Sequence, residues 1–206
     1  MATVREPANA RGRRTRSALL TAARALLEDE GFEALTMGAV AERAGVTRRS
    51  VYLHFPSRAD LVGALFDHVA DEEGLDASLA PVWAAPDAAD ALREWARHVA
   101  RYHPRLLAVD RAVERVHRSD PDAAAHRARV HAAKLGNCRR LARRVAADGR
   151  LAPPWTVPTA ADALFALTTS DVVEGLIVER RWSRARFAER FGLVLTATFL
   201  APEGAD

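Results

Sequence analysis

The chain has 206 residues, 49% hydrophobic and 28% charged, a balance that excludes a disordered chain and suits one or two globular domains. No apolar run approaches the roughly 20 residues needed to cross a bilayer, and MATVREPANARGRRTR has no apolar segment to serve as a signal peptide. The formal net charge is +3, yet residues 1–58 carry +4 and the remainder −1, which points to a polyanion partner and to DNA before a membrane. A cytoplasmic location with no membrane partner is therefore expected. The single cysteine, Cys138, excludes an intrachain disulfide framework and a cysteine-based zinc site.

Residues 1–12 lack periodicity and are expected to form a flexible basic arm. A helix is expected from about Arg13 to Glu30, with Leu19, Ala23, Leu26 and Leu27 on one face and Gly31 as its left-handed stop. Two short helices follow and are taken up below. After Pro56 a helix is expected over 58–73, repeating Leu61, Leu65 and Val69 and ending at Gly74. Residues 75–86, with Pro81 and Pro86, read as an irregular connection. Pro86 opens a helix with Leu92, Trp95, Ala96 and Val99, and Pro104 opens another with Leu106, Leu107, Val113 and Val116. Asp120-Pro121 reads as N-cap and first residue of a helix that stops at Gly149. A loop with Pro153, Pro154 and Pro158 precedes two final helices near 159–180 and 183–200. No strand pair is evident, so the expectation is an all-α fold of about nine helices.

The two final helices are apolar almost all the way round. Such helices must be buried on both sides. One side is this chain's core; the other is expected to meet a second copy, making a homodimer through Leu164, Leu167, Val172, Leu176, Phe187, Phe191, Val194 and Leu195.

The chemistry is concentrated in Thr36–Phe55. Thr36 caps a short helix whose inner face is Val40 and Ala44, and small Ala41 lets a neighbour approach. Gly45 permits a tight turn and Val46 pins it. Thr47 caps a second short helix, anchored by Val51 and Phe55, which leaves Arg48, Arg49, Ser50, Tyr52 and His54 outside. This is the order a helix-turn-helix requires. Its second helix enters the major groove N-terminus first, where two arginines are well suited to guanine edges and phosphate.

Residues 13–62 resemble the DNA-binding domain of TetR/AcrR-type transcriptional regulators. The resemblance rests on Gly31-Phe32-Glu33-Ala34-Leu35-Thr36, on Ala41-Glu42-Arg43-Ala44-Gly45-Val46-Thr47, and on Tyr52-Leu53-His54-Phe55-Pro56-Ser57-Arg58-Ala59-Asp60-Leu61. It implies a three-helix DNA-binding domain over 13–57, and over 58–206 a helical domain that binds a small-molecule effector and dimerises through its last two helices. It also implies DNA contacts by Thr36, Thr47, Arg48, Arg49, Ser50, Tyr52 and His54, with Arg58 on phosphate where the family usually has Lys. Arg49 stands where the family often has Gly. The functional expectation is a repressor released by its effector from a palindromic double-stranded DNA operator. The alternatives are an activator of the same family, or a small-molecule-binding protein or enzyme that keeps the helix-turn-helix as a fold element.

Other constellations are weaker. His98 and His103 are five apart, as are His126 and His131, which turns each pair about 140° apart on a helix and away from a shared metal. No metal, no other cofactor and no catalytic residues are expected. Asp171 and Glu174, on an otherwise apolar helix, are candidates for lining an effector pocket, with Trp95, Tyr102, His103, His117 and His131. Cys138 reads as a core residue.

Overall fold

The computed structural model describes residues 10–202. Among them are ten α-helices: α1 (Ala10–Glu30), α2 (Met37–Arg43), α3 (Arg48–His54), α4 (Arg58–Glu72), α5 (Leu75–Ala84), α6 (Ala88–Val116), α7 (Pro121–Ala147), α8 (Val157–Leu167), α9 (Ser170–Val173) and α10 (Arg184–Phe199). A 3-10 turn over Phe32–Ala34 and a π-helical segment over Glu174–Glu179 complete the described elements, and the only β pairing among them is an isolated bridge, Leu151 with Leu200. The fold is all-α. Residues 1–9 of the expected arm lie outside the described residues, and residues 10–12 are the first turn of α1.

The chain divides into two compact units. One holds the described residues up to Glu72 together with Ala108–Ala128; the other holds Glu73–Leu107 and the chain from Arg129. The expected boundary at 57/58 does not coincide with this division, because α4 groups with the helix-turn-helix.

In the first unit, α1 buries Leu19, Leu20, Ala23, Leu26 and Leu27 and packs on α2 and α4. Burial of such a stripe is worth roughly 1.5–3 kcal/mol per large side chain and holds the helix better than propensity does. Gly31 takes φ 91° with ψ 178°, so the bend after α1 uses glycine's positive φ in an extended rather than a helical left-handed form. Arg43 of α2 reaches back to Asp29 (3.1 Å) and Glu30 (2.6 Å) at the end of α1.

Arg58, at the start of α4, joins three segments of this unit. Its Nε donates to the Leu35 carbonyl (2.8 Å) and its Nη2 to the Phe32 carbonyl (3.2 Å). Nη1 donates to Asp120 (3.1 Å) and Asp122 (2.7 Å) at the start of α7. The guanidinium also lies 4.9 Å from the Phe32 ring centroid. Asp120 meanwhile caps α7 by accepting from the Asp122 and Ala123 amides.

In the second unit, Trp95, Val99, Cys138, Leu141, Leu164, Phe187, Leu195 and Phe199 belong to one core. Residues 75–84, expected as a loop, are helix α5 with Pro81 inside it. Leu79 and Val82 are buried there, and that burial outweighs the one hydrogen bond Pro81 removes. Pro104 likewise sits inside α6 rather than opening a new helix. Buried Leu92, Trp95, Ala96, Val99, Tyr102, Val109, Val113 and Val116 keep one stripe running through it.

The helix expected over 159–180 is broken at Thr168-Thr169. Thr168 is fully buried, its hydroxyl donates back to the Leu164 (2.8 Å) and Phe165 carbonyls, and Lys134 donates to the Thr168 carbonyl. The carbonyls freed by the break are thus satisfied locally.

Burial raises the Asp120 carboxyl, and Arg58 with the Ala123 and Asp122 amides more than offsets this, leaving it below the ordinary value of 3.8. A group depressed on folding contributes stability above its unfolded value and loses it as pH falls through its folded value. Urea denaturation should therefore show steeper destabilisation below about pH 4 in the wild type than in Asp120→Asn. At pH 7, Arg58→Met should cost about 2–4 kcal/mol, since it strands two carboxylates and two carbonyls. A loss below about 0.5 kcal/mol would show that Arg58 is merely a surface cation.

Candidate nucleic-acid interface

The helix-turn-helix is built from short-range chemistry. The Thr36 Oγ1 accepts from the Ala39 amide (3.1 Å) and the Thr47 Oγ1 from the Ser50 amide (3.2 Å), so both threonines cap their helices. Gly45 takes φ 66° in the turn, where a Cβ would strain the backbone. The Val46 amide closes that turn on the Ala41 carbonyl (3.0 Å). Val40, Val51 and Phe55 are fully buried, and α2 packs against both α1 and α3. Ala44, expected on the inner face, is half-buried.

With Val51 and Phe55 turned inward, α3 presents Thr47, Arg48, Arg49 and Tyr52 to solvent. Thr36 is exposed at the start of α2, while Ser50 and His54 are half-buried. The Arg48 guanidinium lies 5.8 Å from the Tyr52 ring centroid, an i,i+4 pair that holds both outward. No carboxylate lies within ion-pair distance of Arg48 or Arg49 in the described residues.

His54 sits at the end of α3. Its carbonyl accepts from Arg16 of α1, whose guanidinium lies 4.5 Å from the Phe55 ring centroid. Burial and the Arg16 charge lower the His54 imidazole below 6.5, so at neutral pH it is an uncharged group.

Arg58 is a correction. It was expected on phosphate, but its guanidinium is committed to two carboxylates and two carbonyls and is held half-buried. Its charge is spent inside the unit.

Two residues on this surface escaped the sequence reading. Arg16 docks α1 on the end of α3, and only its place in a basic run hinted at a role. Leu53 is 77% exposed, one helical turn beyond Arg49 on the same face. Its signal was an apolar residue out of phase with Val51 and Phe55, suited to a thymine methyl.

The effector candidates divide. Trp95 (1% exposed) and Tyr102 are buried, and His103, His131 and Glu174 are half-buried, all in the second unit. His117 belongs to the first unit, beside the Glu114 carbonyl (2.9 Å) near the end of α6. Asp171 is exposed, at the second residue of α9, and faces solvent rather than a pocket.

The dimer candidates divide as well. Leu164, Phe187, Phe191 and Leu195 are buried in this chain's own core. They were expected at an interface, but the spacing of four turns Phe187, Phe191 and Leu195 to one inner face of α10. Gly192 on that helix comes within 3.8 Å of Ala96 and Arg93 of α6, measured from where its Cβ would stand. Leu193 is 54% exposed on the opposite face, and Val194, seven residues from Phe187, is 48% exposed at the flank of the buried row. Leu167, Val172 and Leu176 are half-buried.

Among the described residues, no group of three His, Cys, Asp or Glu side chains is arranged to hold a metal ion, and no helix is long and apolar enough to cross a membrane.

Residues 19–65 match the family model of bacterial regulatory proteins of the tetR family. No curated protein matches the chain. Solved structures with the same fold include NalD of Pseudomonas aeruginosa, the secondary repressor of the MexAB-OprM multidrug efflux pump. It is 22% identical over 94% of this chain and 100% of that one, with a TM-score of 0.71. A regulator from Saccharomonospora viridis in complex with choline is 15% identical over 92% and 99%, with a TM-score of 0.69. The SmeT–triclosan complex is 18% identical over 92% and 93%, with a TM-score of 0.70. With its helix-turn-helix built as described, segment 19–65 is similar to the DNA-binding segment of bacterial regulatory proteins of the tetR family, and the chain shares the fold of these solved structures.

Proposed function

We propose that the protein is a homodimeric repressor that leaves a palindromic operator when a small organic effector binds its second unit. The observation that carries the DNA half of this reading is α3: Arg48, Arg49 and Tyr52 are exposed on a helix whose inner face is locked by Val51 and Phe55. Each subunit sets α3 in the major groove. The Arg48 and Arg49 guanidiniums read guanine edges or hold phosphate, the Thr36 and Thr47 hydroxyls and Tyr52 meet phosphate, and His54 meets the groove edge as a neutral ring. Leu53 adds an apolar contact on the Arg49 side. The same fold in NalD, a repressor, and in a protein bound to triclosan supports both the repressor sign and the effector.

The dimer is assigned to the outer side of α10, where Leu193 is exposed opposite the buried row and Val194 is exposed at its flank. A two-fold axis there makes the operator a palindrome, with half-sites about one helical turn apart or somewhat more. The effector acts by population shift: it binds better to the form whose two α3 helices are wrongly spaced for DNA. The route we assign is along α6 and α7. Both carry residues of the second unit, and they meet at the 117–120 turn beside Asp120 and Asp122, which Arg58 ties to the segment leading into α2.

Arg48→Ala with Arg49→Ala should abolish the specific shift of the upstream DNA while circular dichroism and dimer size stay unchanged. The wild-type affinity should fall steeply with salt, and the log–log slope should drop by about 1 for each phosphate contact removed. Specific binding that survives both substitutions would sink the assignment of α3. For the dimer, Leu193→Glu with Val194→Glu should yield a folded monomer in sedimentation and lose operator binding. A dimer of unchanged affinity would move the interface elsewhere.

A further inference from the structure

The exposed side chains of α3 are not equivalent. Val51 and Phe55 are fully buried and define its inner face. At about 100° per residue, Arg49 and Leu53 stand about 160° and 200° round the helix from Val51, on the crest directed away from the core. Arg48 and Tyr52 lie on one flank, at about 60° and 100°, where the Arg48 Nη2 comes within 3.5 Å of the Tyr52 hydroxyl. Ser50 and His54 lie on the other flank and are half-buried. Leu53, at 77%, is more exposed than any other large apolar side chain among the described residues. The crest of the helix is therefore one cation and one alkyl chain.

These two side chains ask for different features of a base edge. A leucine neither donates nor accepts, so against a polar edge it strips water and returns nothing. The C5-methyl group of a pyrimidine is the one apolar feature that base edges present in the major groove. A guanidinium instead suits guanine, through O6 and N7 together. Residues four apart stand about 6 Å apart along a helix axis, and stacked base pairs stand about 3.4 Å apart. The two crest residues thus span about two base pairs.

We propose that Leu53 reads the C5-methyl group of a pyrimidine in each half-site, about two base pairs from a guanine read by Arg49, while Arg48 and Tyr52 hold phosphate from the flank. The assignment rests on the major-groove reading of α3 above and names the base features it selects. Thymine carries that methyl group in unmodified DNA. 5-Methylcytosine presents the same group on the other base pair, so methylation of a cytosine at this position raises affinity.

The test selects an operator from a random duplex pool with the wild-type chain. Its thymines are then replaced one at a time by deoxyuridine, which removes the methyl group and nothing else. Fluorescence anisotropy should find one thymine per half-site, about two base pairs from a required guanine, whose replacement weakens binding about fourfold. Leu53→Ala should bind the thymine and deoxyuridine operators equally and keep the guanine requirement, and Arg49→Ala should do the reverse. Both side chains are exposed, so circular dichroism of both variants should match the wild type. With cytosine at the thymine position, 5-methylcytosine should recover about fourfold for the wild type and nothing for Leu53→Ala. Deoxyuridine that is silent at every thymine, or a penalty that persists in Leu53→Ala, would overturn the proposal. So would an equal loss on all sequences in Leu53→Ala, which would place Leu53 on the backbone. An operator lost on Arg48→Ala with Arg49→Ala, yet indifferent to every thymine methyl group, would keep the α3 reading and reject this one. Selection without any consensus would reject both.

Discussion

One guanidinium holds the DNA-reading element in place. Arg58 donates to the Leu35 and Phe32 carbonyls, which precede α2, and to Asp120 and Asp122, which begin α7. A planar fork with fixed donors is what such a junction needs, and a lysine ammonium would not span it in the same way. The arrangement also exacts a constraint. If the start of α7 moves, Arg58 must either follow it, and disturb the turn before α2, or surrender charge-assisted bonds in a half-buried place.

The same economy governs the reading surface. Cationic side chains fall into two groups according to whether the fold has already used them. Arg16, Arg43 and Arg58 are occupied with a carbonyl, with carboxylates, or with both, and they hold helices in register. Arg48 and Arg49 have no carboxylate within ion-pair distance in the described residues and stand at the first turn of α3, where free backbone amides add to the attraction for phosphate. His54, lowered by burial and by Arg16, adds shape and hydrogen bonding but no charge at neutral pH. Net charge alone, +4 over residues 1–58, does not distinguish these roles. Position relative to acidic neighbours does.

The helix-turn-helix was legible in the sequence because its determinants are local. Threonine caps, a turn glycine and apolar residues four apart act within a few residues of themselves, and Thr36, Thr47, Gly45, Val51 and Phe55 do what their spacing implies. The misread positions depend on distant partners. Arg58 looked like a phosphate ligand because Asp120 and Asp122 lie more than 60 residues away in sequence. Pro81 and Pro104 looked like helix boundaries because the burial that carries α5 and α6 through them comes from other helices. The last helices looked apolar all round, and their interface candidates were drawn from both faces. The four-residue phase of Phe187, Phe191, Leu195 and Phe199 would have separated the buried row from exposed Leu193 and Val194.

The central claim is that the Arg58 junction sets the stability of the reading helices. Amide hydrogen exchange in Asp120→Asn with Asp122→Asn measures it directly, because it reports local opening residue by residue. Protection over α2 and α3 should fall about tenfold or more relative to the wild type, while α10 keeps its protection. Unchanged protection in α2 and α3, or an equal loss in α10, would contradict the claim.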